Sequence, residues 1–242
     1  MIRVYQNIPL KVGATVNLAE EASRHLALVL RVKVNDTVIL FNGQGGQFTA
    51  KVVHLDKKTV TVQLQDFTNP QNESPLKITL AQCISRNDRM DDAIRKSVEC
   101  GVVEITPIIS EHSMVKSVTQ CEKKLVHWQK IIISACEQSG RCIIPKLTAP
   151  QKLVDWLPSA NGLKLIAHPY HAKSLAELTI KPVQLSLLIG PEGGFSAMEL
   201  QLAEQYHFTS FTFGPRVVRT ETAPVVAISI AQFLWGDFKV SV

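Results

Sequence analysis

The sequence predicts an α/β protein in two parts, a small N-terminal β-barrel followed by a larger domain built on a parallel sheet. Strand patterns dominate the first 68 residues, and residues 69–75 then form a polar segment with two prolines and no apolar side chain. Beyond that segment, strand and helix patterns alternate, which is typical of a parallel sheet with helices on both faces. We therefore expect domains at residues 1–70 and 76–242.

The elements of the barrel are predicted from residue composition and periodicity. Glu20–Leu30 has a short helical pattern, and Asp36–Phe41 is a strand rich in β-branched and aromatic residues. Asn42–Gly46 is glycine-rich and is predicted to be a turn. Gln47–His54 and Thr59–Asp66 alternate apolar with polar side chains, as half-buried strands do. A barrel of this size is typical of an accessory binding module.

The second domain is predicted to alternate buried strands with helices. The predicted strands are Leu76–Ala81, Val102–Ile109, Leu163–Ala167, Leu185–Ile189 and Phe211–Phe213. The predicted helices are Arg89–Cys100, Gln120–Ser139, a helix that begins with a capping box at Ser196 and runs to about Tyr206, and Ala223–Trp235. Glycines that follow the first two helices are expected to end them.

The composition is that of an ordinary soluble globular protein, with 45% hydrophobic and 19% charged residues. No apolar run approaches the roughly 20 residues that span a bilayer, and the N-terminus lacks the layout of a signal peptide. We therefore expect a cytoplasmic protein without a membrane partner. The five cysteines form no C-x-x-C pair and the histidines lack metal-binding spacing, so neither a disulfide framework nor a metal site is predicted. Cys100 and Cys136 are expected to be buried apolar residues.

The net charge of +5 is concentrated in the first two thirds of the chain. Basic side chains outnumber acidic ones by two in residues 1–74 and by four in residues 75–152, whereas residues 153–242 have one acidic side chain more than basic. This distribution favours a polyanion bound by the first two thirds and a small ligand held by the last third. A net charge that serves only solubility is the alternative.

Three segments near the C-terminus each follow a predicted strand, at residues 167–169, 190–195 and 213–223. Ligands of open α/β sheets bind at the carboxyl ends of the strands, so these segments are expected to form one pocket. Their glycines let the main chain approach a ligand closely, and their prolines fix the turns. Tight connections without a ligand are the alternative. The glycine patterns of dinucleotide-binding and P-loop proteins are absent from the sequence.

The motifs in these segments resemble those of the RsmE family, the SPOUT-class methyltransferases that modify uridine N3 in 16S ribosomal RNA. The most specific are Gly-Pro-Glu-Gly-Gly-Phe-Ser at 190–196 and Phe-Gly-Pro-Arg-Val-Val-Arg-Thr-Glu-Thr-Ala at 213–223. The resemblance covers nearly the whole chain, through further motifs at residues 25–26, 29–32, 41–43, 88–90, 99–102, 137–141 and 144–145.

The resemblance implies a PUA-like barrel that binds RNA and a SPOUT domain whose C-terminal loops form a deep trefoil knot, an exception to the rule that chains do not thread loops. It also implies S-adenosylmethionine as the cofactor, a homodimer, and the small ribosomal subunit as the partner. The residues expected to bind the cofactor are Ala167, His168, Pro169, Ile189, Gly190, Pro191, Glu192, Gly193, Phe213, Gly214, Val217, Val218, Thr222 and Ala223. The sequence has Tyr170 after Pro169, where the resemblance leads us to expect glutamate.

Arg219 and Glu221 are the candidate catalytic residues. Uridine N3 carries a proton at neutral pH and is a poor nucleophile until that proton is lost. A cation beside the base would stabilise the developing anion, and a carboxylate would accept the proton. We assign these roles to Arg219 and Glu221 in that order. The alternative is an ion pair between them that only shapes the loop.

The uridine must be unpaired or flipped out, because N3 lies on the Watson–Crick edge. The candidate RNA contacts are Arg3, Arg24, Arg31, Asn42, Arg86, Arg89, Arg141 and Arg216. Each arginine is alternatively a solvated surface charge, and Asn42 alternatively supplies turn geometry.

Two other functions are compatible with the sequence. A non-catalytic RNA-binding assembly factor would bind RNA without affinity for S-adenosylmethionine. An enzyme of the same class would act on transfer RNA or on a different atom of the base.

Overall fold

A computed structural model describes residues 1–56, 58–169 and 173–238, and the chain divides into two compact units. The small unit consists of Met1–Glu73 together with Cys136–Ile144, and the large unit consists of Ser74–Ala135 and Pro145–Val242. Residues 136–144 therefore lie with the small unit, whereas boundaries at residues 70 and 76 would place them in the second domain. Tyr170, the departure from the family motif, lies outside the described residues.

The small unit is built on a five-stranded sheet with the order β1-β3-β4-β5-β2. Its elements are β1 (Arg3–Tyr5), β2 (Thr15–Asn17), α1 (Glu20–Arg24), β3 (Thr37–Phe41), β4 (Gln47–Leu55) and β5 (Val60–Thr68). The pair β1–β3 is parallel and the other pairs are antiparallel. The three longer strands lie within two residues of their predicted bounds.

Alternation along the strands forms the core of the small unit. Phe48, Ala50 and Val52 of β4 point to the same side and are buried in a cluster with Leu64 of β5. The predicted helix over Glu20–Leu30 is present, but its second half, His25–Val29, is a π-helical turn.

The large unit contains the alternating elements that the sequence predicts. They are β6 (Lys77–Cys83), α2 (Asn87–Glu99), β7 (Glu104–Ile109), α3 (Val118–Ser139), β8 (Lys146–Leu147), β9 (Gln151–Lys152), α4 (Leu153–Trp156), β10 (Leu163–Ala167), β11 (Lys173–Ser174), β12 (Gln184–Ile189), α5 (Ala197–Gln205), β13 (Thr209–Thr212) and α6 (Ala223–Trp235). The last residues of α3, from Cys136 onward, belong to the small unit.

The sheet of the large unit is parallel throughout its described pairings, as the sequence predicts. Its strand order is β11-β13-β10-β12-β6-β7-β8, and β9 also pairs with β7. The short strands are apolar because both faces of the sheet are covered. Leu185–Ile189 of β12, for example, is buried along its whole length. Since β13, β10, β12 and β6 are neighbours, their carboxyl ends meet at one edge of the sheet.

Local sequence signals also place the helices. Ser196 and Glu199 form the predicted capping box at the start of α5, with Glu199 N–H donating to Ser196 Oγ over 3.3 Å. Trp128, Ile132 and Ala135 of α3 are buried, in agreement with their spacing. The described part of the chain has no helix long and apolar enough to cross a membrane.

All five cysteines are free thiols. Cys136 is buried as predicted, and burial raises its pKa to about 12, so it is protonated at neutral pH. Cys100 is only partly buried, because it lies at the C-terminal end of α2.

Candidate active site

A cavity of about 570 Å³ opens at the carboxyl edge where β10, β12 and β13 end. We refer to it as the strand-end cavity. Its wall includes every residue predicted to bind the cofactor except Gly214 and Thr222, together with Arg89, Arg216 and Arg219. The three predicted segments therefore enclose one space, at the position where ligands of parallel sheets bind.

Two glycines of the loop after β12, Gly190 and Gly193, have little room for a side chain. A Cβ atom at Gly190 would lie 3.0 Å from the ring of Phe195, and one at Gly193 would lie 3.0 Å from the Cβ of His112. The loop is also held in place, since His112 Nδ1 lies 3.1 Å from the carbonyl oxygens of both Gly193 and Gly194. Its main chain is thus positioned to face a ligand directly.

Thr220 joins the second and third loops. Its buried Oγ1 donates to the carbonyl oxygen of Gly190 over 2.7 Å and accepts from Gln82 Nε2 over 3.2 Å. Gln82 lies on β6, and its side chain is fully buried. The contacts fix the segment before α6 against the glycine loop, so the wall of the strand-end cavity is preorganised.

The third loop then turns directly into α6. The main-chain N–H groups of Thr222 and Ala223 both donate to the carbonyl oxygen of Arg219 over 2.9 Å. Thr222 precedes the helix, and Pro224 lies in its first turn, where a missing N–H costs nothing. This turn fixes the main chain of Arg219, but its side chain remains 77% exposed.

Glu221 lies between two arginines and is largely enclosed. Its side chain is 16% exposed; Oε2 lies 3.9 Å from Arg89 Nε, and Oε1 lies 4.0 Å from Arg219 Nη1. Neither distance is a hydrogen bond, and Oε2 accepts none from the part of the chain that the structure describes. The carboxylate is therefore held near positive charge while it keeps an oxygen able to accept a proton.

Arg89 lies closer to Glu192, in the glycine loop after β12, than to Glu221. Its Nη1 donates to Glu192 Oε1 over 3.1 Å, and the same oxygen lies 3.3 Å from the main-chain nitrogen of Arg86. Glu192 thus ties the loop after β12 to the start of α2. This arrangement gives Arg89 a place in the wall of the strand-end cavity, in addition to its predicted contact with RNA.

The remaining RNA candidates divide by exposure. Arg24, Arg31, Arg86 and Arg216 are exposed. Arg141 is instead buried, and its guanidinium donates through Nε and Nη2 to the two oxygens of Glu73 over 3.1 and 2.6 Å.

Two further candidates have structural partners within the small unit. Arg3 contacts Gln47 and donates to the carbonyl oxygen of Arg141 over 3.2 Å. Asn42 Oδ1 accepts from the N–H of Gln44 over 3.2 Å, which is the turn geometry considered as its alternative role.

Sequence reasoning missed three side chains that shape the site, namely Gln82, His112 and Thr220. Gln82 had a signal, because a glutamine inside an otherwise apolar buried strand needs a specific partner. Thr220 lies within the polar motif but was not singled out from it. His112 follows β7 without any local pattern, so only the folded chain reveals its contact with the glycine loop.

The strand-end cavity is suited to a cofactor with one flat apolar part and several polar edges. Its size falls within the range of about 300–1,000 Å³ typical of small-molecule sites. Apolar walls at Ile189, Val217 and Val218 alternate with exposed main chain at the glycines. Among the described residues, no group of three or more histidine, cysteine, aspartate and glutamate side chains could hold a metal ion.

Comparison with protein families matches both units. Residues 72–232 match a family model described as an RNA methyltransferase domain, and residues 18–65 match an RNA methyltransferase PUA domain. The ribosomal RNA small subunit methyltransferase E of Buchnera aphidicola is 38% identical over 240 residues, which cover 98% of this chain and 95% of the relative. The enzyme of the same name from Rickettsia conorii is 32% identical over 239 residues, covering 96% and 95%.

Solved structures match the fold over the whole chain. The ribosomal RNA small subunit methyltransferase E from Neisseria gonorrhoeae, bound to S-adenosyl methionine, has a TM-score of 0.93 and 41% identity. The match covers 99% of this chain and all of that one. A Legionella pneumophila protein solved with the bound cofactor SAM has a TM-score of 0.94 and 42% identity, covering 98% and 99%.

Proposed function

Because this chain belongs to the ribosomal RNA small subunit methyltransferase E family, we propose that it uses S-adenosylmethionine to methylate N3 of a specific uridine in 16S ribosomal RNA. The observation that carries the proposal is the strand-end cavity, which combines a main-chain cradle for a cofactor with Arg219 in its wall. Glu221 does not line the cavity, but its Oε1 lies 4.0 Å from Arg219 Nη1. Two relatives more than 40% identical were solved with this cofactor bound, which supports its choice.

The residues of the strand-end cavity fit S-adenosylmethionine. The glycine loop at 190–194 would hold polar edges of the cofactor by its main chain, and Ile189, Val217 and Val218 would pack against its flat apolar part. A side chain at Gly190 or Gly193 would displace Phe195 or His112 and so reshape this cradle. When bound, the cofactor supplies an electrophilic methyl group.

The protein's part in the reaction is to position the uridine and to handle its N3 proton. Arg219 is exposed and unconstrained enough to reach the base, where its charge stabilises the anion that forms as the proton leaves. Glu221 accepts that proton in this proposal, and the absence of a hydrogen bond to its buried Oε2 among the described residues supports the role. The two side chains lie 4.0 Å apart, at the limit of an ion pair, and no hydrogen bond joins them.

The RNA approaches with its target nucleotide unpaired, because a paired uridine hides N3. Residues 1–70 bind RNA and residues 76–242 carry out the methylation in this proposal. The exposed side chains of Arg24, Arg31, Arg86 and Arg216 are its phosphate contacts. Arg3, Asn42 and Arg141 support RNA binding through the structure of the small unit.

The proposal includes three finer features that the motif resemblance implies, namely a C-terminal trefoil knot, a homodimer and a cytoplasmic location. The bond from Thr220 to the Gly190 loop supports close association of the segments that such a knot would thread. Exposed Phe233 on α6 and Phe238 just after it support an apolar dimer surface. Light scattering of the purified protein should give twice the monomer mass of 26.8 kDa.

The function is tested by incubating the protein with radiolabelled S-adenosylmethionine and small subunits from a strain that lacks the modification. After digestion to nucleosides, we expect the label in 3-methyluridine alone. Label in another nucleoside, or label only in added transfer RNA, would overturn the assignment. Calorimetry that detects RNA binding but no cofactor binding would indicate the assembly factor instead.

A further inference from the structure

A second cavity in the large unit lies at the N-terminus of α2. It has a volume of about 570 Å³, and its wall includes Ser85, Arg86, Lys124 and Met114. We refer to it as the α2 cavity. Arg89 lines both this cavity and the strand-end cavity, so the two spaces are neighbours. The catalytic roles described above make no use of the α2 cavity.

The main chain at this point is arranged to bind an anion. Arg86 precedes the first turn of α2 in an extended conformation, with φ −60° and ψ 149°, and no side chain caps the helix. Glu192 Oε1 accepts from the N–H of Arg86 over 3.3 Å, but no side chain of the N-cap residue bonds to the N–H groups of the first turn. These N–H groups and the positive end of the 13-residue helix therefore favour an anion.

The buried hydroxyl of Ser85 is a second, independent observation that points to a ligand. The residue lines the α2 cavity but is only 1% exposed. Its Oγ has no hydrogen-bond partner in the described ranges of the chain. A buried hydroxyl without a partner is costly, and a ligand atom that accepts its proton would remove that cost.

The basic side chains and the exposed methionine in the wall of the α2 cavity favour a ligand that carries a phosphate attached to an apolar group. The wall of the α2 cavity contains three basic side chains, those of Arg86, Arg89 and Lys124, and one carboxylate, that of Asp88. Arg89 pairs with Glu192. Met114 is 61% exposed at the wall and offers a flexible apolar surface. A nucleotide has both parts, a phosphate and a sugar or base that packs on apolar side chains.

We propose that the α2 cavity binds the backbone phosphate of a nucleotide that neighbours the target uridine in the RNA substrate. Arg86, Ser85 and the first turn of α2 hold the phosphate, and Met114 packs against the attached sugar or base. The shared wall at Arg89 places this phosphate beside the strand-end cavity, where the target base is expected. The inference rests on the proposed function, because it takes the ligand to be RNA.

The test compares Arg86→Gln with Arg95→Gln, which removes the same charge from the C-terminal half of the same helix. Arg95 makes a surface pair with Asp92 and lies outside both cavities. Filter binding of small subunits at several salt concentrations, together with KM and kcat, is measured for both variants. Arg86→Gln should raise KM about tenfold and reduce the salt slope of binding by about 0.7–1, with kcat and cofactor affinity within about twofold. Arg86→Lys should recover most of the slope.

Ser85→Ala provides the second variant. If the hydroxyl donates to a phosphate, RNA binding weakens by a few-fold even though the folded protein becomes slightly more stable. A hydroxyl that is merely buried would give the gain in Tm with unchanged RNA binding. Equal behaviour of Arg86→Gln and Arg95→Gln in KM and salt slope would overturn the inference. Wild-type protein that forms no 3-methyluridine would instead overturn the proposed function, and subunit binding would still decide on the α2 cavity.

Discussion

Arg219 and Glu221 lie two residues apart, yet their surroundings differ. Arg219 is 77% exposed and Glu221 only 16%, so the arginine can move toward a base while the carboxylate stays in place. We expect Arg219→Ala to lower kcat by at least 100-fold, since charge stabilisation at the reacting atom is lost. Calorimetry should give cofactor affinity within a few-fold of the wild type, with Arg95→Ala as the control. A large loss of cofactor binding would instead identify Arg219 as a structural residue of the loop.

Thr220 is expected to matter for stability as well as for cofactor binding. Thr220→Val keeps the shape but removes the hydroxyl that joins the carbonyl oxygen of Gly190 to the Gln82 side chain. Two buried polar groups lose a partner, which costs about 1–3 kcal/mol. Calorimetry should show a Tm lower by several degrees and a weaker affinity for S-adenosylmethionine. Thr220→Ser retains the hydroxyl and should behave like the wild type; an unchanged Tm and an unchanged cofactor affinity in Thr220→Val would show that the hydroxyl is not needed.

Individual site residues were predictable where a motif carried them. The glycines at 190 and 193 belong to one short motif and the polar run at 213–223 forms another, so each pattern is visible without a fold. Gln82 and His112 meet these loops only because β6 pairs with β12 and β7 pairs with β6 in the sheet. A contact between residues 80 or more positions apart produces no local sequence pattern from which it could be predicted.

At the scale of elements, the sequence predicts which segments are strands and helices, but not the order of the strands. Each strand of the parallel sheet is a short apolar run with apolar side chains on both faces of the sheet. Such a run carries no mark of which strand lies beside it. The order β13-β10-β12-β6 depends on how the crossover helices pack, so periodicity along one strand cannot reveal it. The strand-end rule nevertheless predicts a shared pocket, because the rule needs only a parallel sheet.

The C-terminal end of α3 carries a carboxyl group that is pH-sensitive. Burial raises the pKa of Glu137 above its ordinary value of 4.5, although the N–H of Tyr5 donates to it and His25 and Arg3 lie near. The native state therefore holds this proton more tightly than the unfolded state does. Its contribution to stability is present below the ordinary pKa and is lost as the pH rises through the raised value.

Glu137→Gln should consequently stabilise the protein at neutral pH. The amide oxygen can still accept from the N–H of Tyr5, but no buried charge forms. We expect the difference in unfolding free energy between variant and wild type to be small near pH 4 and to grow toward pH 7, as measured by denaturant unfolding. Glu122→Gln, on an exposed position of the same helix, is the control. Parallel pH profiles for Glu137→Gln and the wild type would contradict this prediction.

At the scale of the whole molecule, the small unit is not continuous in sequence. Residues 136–144 belong to it, although residues 74–135 between the two parts belong to the large unit. The polar break at residues 69–75 predicts a domain boundary, but hydrophobic patterning cannot show that a segment beginning at the end of α3 belongs to the first unit. The residues that fix it there are polar, and they pair with partners about 70 or more positions away.

The ion pair between Arg141 and Glu73 is expected to hold this returning segment in place. Arg141 is 4% exposed, and both of its bonds to Glu73 join residues 68 positions apart. Arg141→Ala leaves a largely buried carboxylate without its cation, which costs about 3–5 kcal/mol. For a chain of this length we expect Tm to fall by about 6–20 °C in scanning calorimetry.

The control for this prediction is Arg24→Ala, which replaces an exposed arginine of the same unit and should change Tm by less than about 1 °C. Adding Glu73→Ala should cost much less than it does alone, because the two groups are coupled. An Arg141→Ala protein with unchanged Tm but weakened binding to small subunits would show that Arg141 contacts RNA directly.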